Sequence, residues 1–335
     1  YEYQGAGLAT VTHTYAVGSY SVRLRVDNAG GEWRELLRED YIVVTPVVTN
    51  YVSLSGAHVP PFTSWATAAT NIQDAIDAAV AGDVVLLDRG VYFIPDTLKI
   101  EKGLLVAGAY GARECIIDGG GARRCVWMTN TLAVLDGVTV RNGFTSDRYT
   151  AAGDGAGVVC EHGTLRRCIV RGNRAAAHGG GVYLFYGVME NCLVCDNRTG
   201  LNGGGVDASG ATLRNCTIIG NRAEKIGGGF FATQFQGLYG AHLDNCIVYD
   251  NTAQDAPNNY HVAVFRSCAT WPLPAGEGNL SNAPALIALN SFHLGAASPC
   301  IDAGATNYAP AGSDIAGNPR TIGARTDMGC YEHGG

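Results

Sequence analysis

Four stretches decide how this chain is read: TLRRCIVRGN (Thr164–Asn173), VMENCLVCDN (Val188–Asn197), TLRNCTIIGN (Thr212–Asn221) and HLDNCIVYDN (His242–Asn251). Their cysteines, Cys168, Cys192, Cys216 and Cys246, fall 24, 24 and 30 residues apart. Glycine clusters Gly179–Gly181, Gly203–Gly205 and Gly227–Gly229 keep the same step of 24, and Gly155-Ala156-Gly157 leads the series. The longer last step is assigned to an insertion around Phe235–Ala241. Aligned this way, the apolar residues form columns: Leu165/Met189/Leu213/Leu243, the four cysteines, Val170/Val194/Ile218/Val248 and Val158/Val182/Val206/Phe230. They alternate with polar residues in runs of a few residues, the period of strands and not of helices.

A repeat of about two dozen residues built from short strands fits one turn of a parallel β-helix, in which successive turns stack and like side chains line up as ladders. The recurring Asn173, Asn197, Asn221 and Asn251 suit such a ladder, since stacked amides can bond one another. The glycine clusters give backbone freedom at the turn. Upstream, Asn71 is positioned to cap a helix whose Ile72, Ala75, Ile76, Ala79 and Val80 share one face, with Gly82 ending it. Val84–Leu87 then reads as a buried strand of the first rung, which the helix would shield.

Residues 1–46 differ. In Thr12–Gly31, Tyr20, Val22, Leu24 and Val26 alternate with Ser21, Arg23 and Arg25. Asn28-Ala29-Gly30-Gly31 turns the chain and Tyr41–Val44 returns it. Pro46 through Pro61 is the junction to the repeat.

The pattern NC-[ILT]-[VI]-x-x-N-R followed by GGGV resembles the right-handed parallel β-helix repeat proteins of the pectin-lyase-like superfold, nearest to large secreted bacterial proteins of this kind. Trp65–Tyr92 looks like that family's cap helix and first rung. Ser298–Gly304, Asp314–Arg320 and Asp327–Glu332 resemble its closing rungs. The opening segment is similar to the last strands of a PKD-type immunoglobulin-like domain. It covers only half a sandwich, so the chain reads as a piece of a longer protein, or something else covers the sheet face. The expected organisation is all-β. A partial β-sandwich at 1–46 precedes a single-stranded right-handed β-helix of about ten rungs at 47–335, capped at about 65–82 and closed at about 298–335.

Composition narrows the function. With 23 Lys+Arg against 30 Asp+Glu the net charge is −7, which disfavours nucleic acid and anionic membranes as partners. Hydrophobic residues make up 47%, enough for a core and too much for disorder, yet no run is long enough to span a membrane. Most of the 11 cysteines read as small buried residues; Cys300 and Cys330, outside the repeats, are the disulfide candidates. Cys192 and Cys195 have CxxC spacing but point to opposite strand faces, so they cannot share a metal.

By the resemblance, function lies on an outward face where rungs converge. Beyond the glycines that face would carry Val159, Glu161, Tyr183, Phe185, Asp207, Ser209, Phe231 and Thr233, with Asp154, His178, Asn202 and Ile226 in a column just before them. Tyr183, Phe185, Tyr186 and Phe231 offer flat apolar faces for sugar rings. Asp154, Glu161, His178 and Asp207 are the candidate proton-moving or hydroxyl-positioning groups. The competing reading is an ordinary solvated sheet face. Signatures of polygalacturonase-like hydrolases and calcium-dependent pectate lyases are missing. No cofactor is implied; Asp302, Asp314 and Asp327 could ligate Ca2+ or close turns by hydrogen bonds. Outward Arg166, Glu190, Arg214 and Asp244 suit cross-rung ion pairs. Arg174, Arg198 and Arg222 stack in like charge, neutralised by Asp196 and Asp250 or bound to an anionic polymer. The expectation is a secreted or cell-surface protein that binds or processes a polysaccharide or cell-surface glycan. The alternative is a non-catalytic structural or adhesive module working beside neighbouring domains or copies.

Overall fold

The computed structural model describes residues 13–232, 240–255, 257–287 and 291–334. The chain divides into two units, Tyr1–Val48 and Thr49–Gly335.

The first unit is an antiparallel hairpin of Gly18–Asp27 and Trp33–Val44, with a bulge between Tyr20 and Val22. The return strand starts at Trp33, earlier than the sequence suggests. Asn28 makes the turn by accepting from Gly30 N and Glu32 N, both at 2.9 Å. Leu24, Val26, Trp33, Leu36 and Val43 are all exposed. No further sandwich strand is present among the described residues.

In the second unit the strand register builds the coil directly. All its strands pair in parallel, in sheets of nine, eight, seven and four strands among the described residues. The longest begins one turn earlier than expected, with Thr49–Val52 beside Val84–Leu87, and ends at Val264–Arg266. The four apolar columns are inward and fully buried: Leu165, Met189, Leu213 and Leu243 are direct partners, as are Val158, Val182, Val206 and Phe230. Each inward side chain meets its own kind one strand spacing away, about 4.8 Å.

Both ladders form. Asn173 Nδ2 donates to Asn197 Oδ1 (2.9 Å), Asn197 to Asn221 (3.0 Å) and Asn221 to Asn251 (3.0 Å). Asn259 extends the row at 3.2 Å. The same oxygens accept backbone N–H groups, so one amide satisfies the turn of its neighbour. The sulfur ladder gains Cys268, whose Sγ accepts from Cys246 N at 3.2 Å. Gly181 shows why the turn excludes side chains: a Cβ there would stand 2.7 Å from Gly205 O and 2.8 Å from Asn197 Nδ2.

The cap helix runs Ile72–Ala78, and Asn71 Oδ1 accepts from Asp74 N at 3.0 Å. Ile72, Ala75, Ile76 and Ala79 are buried, whereas Val80 lies outside the helix and is exposed. Lys102 Nζ closes the helix end by donating to the carbonyls of Ile76, Asp77 and Ala79.

The C-terminal segment corrects the expectation of closing rungs. Among the described residues after 291 there is no strand; the segment runs along the outside of the second sheet. There it covers Leu193, Cys195 and Ile219 with Ile315, Cys330 and Tyr331. Three asparagines in left-handed turns bind its backbone: Asn191 to Ser313 O, Asn215 to Asp327 O and Asn245 to Ala305 O, at 3.0, 2.8 and 3.0 Å. Arg320, almost fully buried, pairs with Glu332 and donates to Asn191 Oδ1. The Cys300–Cys330 disulfide is overturned as well. All 11 cysteines are free and buried; Cys330 packs against Leu193 and Cys195, while Cys300 packs in a different cluster with Ile247 and Ala269. Burial holds both thiols protonated, pushing them up to about 12.

Candidate functional site

The third sheet presents the face singled out above. Its register aligns Trp127, Val159, Tyr183, Asp207, Phe231 and His261 in one outward column, and Glu161, Phe185 and Ser209 in the next. Alternation places these opposite the buried Val158, Cys160, Val182 and Leu184. Thr233 lies outside the described residues.

Asp154, His178 and Asp207 come together. Asp154 Oδ1 accepts from His178 N at 3.0 Å, and His178 O accepts from Gly155 N at 2.9 Å. The imidazole turns the other way, toward the next rung, where Nδ1 stands 3.2 Å from Asp207 Oδ2. Asp207 raises the His178 pKa against the opposing effect of burial, favouring the imidazolium. Burial lifts the Asp154 carboxyl above its ordinary value. Tyr183, beside both, is pushed up to about 12 by burial and by Asp207, Asp154 and Glu161, so its hydroxyl stays a donor. Asp207 is only 1% exposed although it faces outward. The column of Asp154, His178, Asn202 and Ile226 also stacks: Gly179 N bonds Asn202 O and Gly203 N bonds Ile226 O.

The aromatics form a surface. Phe185 and Tyr186 meet edge to face at 4.5 Å, and His162 stacks flat on Tyr186 at 5.5 Å. Phe231 stacks on His261 at 5.0 Å. Trp127 Nε1 donates to Glu161 Oε1 at 3.3 Å, linking the aromatic column to the acid. Sequence reasoning missed Trp127, His162 and His261. Trp127 sits 32 residues before Val159, and Ala122–Cys125 separate its strand from the glycine cluster Gly119–Gly121, so the 24-residue step passes it by. Arg124, also missed, has its guanidinium occupied by the carbonyls of Ala151, Ala152, Asp154 and Gly155.

Two clefts lie elsewhere. One, about 270 Å³, is lined by Tyr110, Arg113, Ile169, His293, Ile315 and Tyr331; the other, about 250 Å³, by Thr97, Arg124, Phe144, Thr145 and Asp147 among others. Neither holds Asp154, His178 or Asp207. Among the described residues no group of three His, Cys, Asp or Glu side chains is arranged to hold a metal. Asp302, Asp314 and Asp327 instead accept backbone N–H groups of Arg325, Asn318 and Asp302 at 2.7–2.8 Å, the turn-closing alternative. No helix among the described residues is long and apolar enough to cross a membrane.

No family model matches this chain, and no curated protein does. Among solved structures it is similar to the pectate lyase Pel9A, with 14% identity over 85% of this chain and 97% of that one, at a TM-score of 0.41. It is also similar to the deglycosylated pectin methylesterase from Aspergillus niger, with 12% identity over 71% and 86% and a TM-score of 0.44. The penultimately deglycosylated form of that esterase gives 12% over 72% and 83%, at 0.43. Likenesses this distant add nothing to the parallel coil that the strand register already establishes.

Proposed function

We propose that the protein is a secreted or cell-surface β-helix module that binds a polysaccharide across the outward face of its third sheet, preceded by an immunoglobulin-like segment at 1–46. One observation carries this reading. Trp127, Tyr183 and Phe231 occupy alternate rungs of one column, with Val159 and Asp207 between them and Phe185 and Tyr186 beside it, half-exposed and facing out. Flat apolar rings repeated along a rigid sheet suit the faces of successive sugar rings. Glu161 and the Tyr183 hydroxyl supply polar partners at the edge.

Binding is favoured over cleavage because two of the three candidate acids are enclosed. Asp154 and Asp207 are buried, and Asp154 already accepts a backbone N–H. The trio of Asp154, His178 and Asp207 works here as a brace that fixes the glycine turns under the aromatic face. A second reading, a non-catalytic structural rod, draws on the continuous Asn and Cys ladders, which stiffen the coil whether or not a sugar is bound.

The test is affinity electrophoresis of the full chain through gels containing neutral and acidic polysaccharides. Retardation by at least one glycan, lost in Trp127→Ala/Tyr186→Ala and retained in Asp207→Asn, is the expected outcome. Equal retardation of the aromatic double variant would overturn the aromatic face as the binding site. Turnover of the retarding glycan, abolished by Asp207→Asn, would replace binding with catalysis.

A further inference from the structure

The larger cleft, about 270 Å³, opens on the seam between the coil and its C-terminal segment and shares no residue with the aromatic face. The coil contributes Tyr110, Arg113 and Ile169, the segment His293, Ile315 and Tyr331. The space equals about nine water molecules. Its polar groups surround one positive charge. Arg113 donates through a single nitrogen to His293 Nε2 and to Tyr331 Oη, both at 3.3 Å. Neither partner cancels the charge. Burial and Arg113 itself hold the imidazole below its ordinary pKa, so it stays neutral and accepts. Burial raises the Tyr331 phenol above its ordinary value. Among the described residues no carboxylate pairs with Arg113. Asp314, the acid whose field reaches His293, is held by Ala316 N, Asn318 N and Glu332 N at 2.8–2.9 Å. Arg89 adds a second cation, 4.1 Å over the Tyr110 ring. Tyr331 is the sharper sign. It is 4% exposed, its oxygen accepts from Arg113, and its own hydrogen meets no acceptor among the described residues. A buried donor left in that state is costly.

We infer that this cleft binds a small aromatic carboxylate, with the carboxylate on Arg113 and the Tyr331 hydroxyl and the ring against Tyr110, Ile169 and Ile315. The guanidinium has further N–H groups beyond the nitrogen that His293 and Tyr331 share, and it meets a carboxylate with charge-assisted hydrogen bonds. The Tyr331 hydrogen supplies one more. A flat ring suits the apolar walls and the small volume. A bare inorganic anion would leave those walls in water, and a neutral ring would leave the guanidinium unanswered.

The experiment is a titration of the full chain, carrying labelled isoleucine methyl groups, with 4-hydroxybenzoate, followed by NMR. The uncharged 4-hydroxybenzamide and inorganic phosphate are the controls. The Ile169 and Ile315 methyl signals shift and saturate, with a Kd of about 1 mM, the scale for a ligand of about ten heavy atoms. The amide binds about tenfold or more weakly, and phosphate does not displace the benzoate. Arg113→Gln weakens binding about tenfold or more. That change also frees His293 and Tyr331, so a second variant, Ala316→Trp, leaves every polar group in place. Ala316 is an exposed lining residue, and the indole fills the cleft and abolishes the shifts. Trp127→Ala/Tyr186→Ala binds the benzoate as the parent does, which separates the cleft from the aromatic face. Any of four results overturns the inference: no saturable shift of either methyl signal, equal affinity for the amide, displacement by phosphate at equal concentration, or unchanged binding in Ala316→Trp.

Discussion

The rungs between Val158 and Ala253 and the segment between 291 and 334 solve the same problem in opposite ways. In the rungs, buried polar groups are satisfied by repetition: each ladder asparagine bonds the identical residue one turn away. In the C-terminal segment each contact joins two unlike groups far apart in sequence, such as Asn191 with Ser313 and Arg113 with Tyr331. The rungs contain no inward charge. The segment buries four charged side chains, Asp314, Arg320, Asp327 and Glu332, and answers Arg320 with Glu332. Repetition spreads a loss over neighbours that can substitute for one another, whereas single contacts concentrate it.

The largest test of this contrast is Arg320→Met. It leaves Glu332 buried without its cation, a change that costs about 3–5 kcal/mol. The loss falls on the C-terminal segment alone: proteolysis cuts within 296–334 while amides of the rungs stay protected from hydrogen exchange. Adding Glu332→Leu recovers most of the protection, because the uncompensated charge and not the missing bond carries the cost. If rungs and segment lose protection together, the segment is part of the coil's cooperative unit and the contrast fails.

Asn197→Ala comes next. It strips Asn173 N of its acceptor, Asn173 Nδ2 of one of its two acceptors, and Val170 O and Asn221 Oδ1 of a donor, all buried. A loss of about 3 kcal/mol follows, read as a lower urea midpoint. Asn259→Ala, at the end of the row, costs less because the chain beyond it can relax. Equal costs would mean that the ladder's interior confers no advantage over its end.

The same contrast explains what the sequence discloses. Inward columns are legible because a strand's two-residue alternation and a fixed step repeat the signal on every rung. Asn191, Asn215 and Asn245 stand in plain view before the ladder cysteines, yet their work is invisible, since each bonds a backbone group 60 to 122 residues away that carries no motif. The C-terminal motifs resemble closing rungs because they are compact and turn-rich. What they close is the flank of the second sheet, whose outward Leu193 and Ile219 are the overlooked sign that something covers it. At the candidate site the acids and His178 follow from the 24-residue step, while Trp127 precedes the regular rungs and escapes it.

The smallest expected effect lies where the two kinds of contact meet. His178 repeats its backbone position in the column with Asp154, but its ring pairs with Asp207 on the next rung. That carboxylate raises the imidazole above its ordinary pKa of 6.5. A raised histidine contributes stability that is fully present below its unfolded-state value and is lost as pH rises through the folded-state value. The parent therefore loses a little stability as pH climbs from just below 6.5 into the range above it. Asp207→Asn removes that slope and lowers the His178 midpoint, followed by the proton NMR shift of its ring. Because the imidazole is about a third exposed, solvent screens the pair and the change in urea midpoint is small. A His178 midpoint that does not move in Asp207→Asn would mean that the ring is held by the repeating column alone, and the brace beneath the aromatic face would then belong wholly to the ladder side of the comparison.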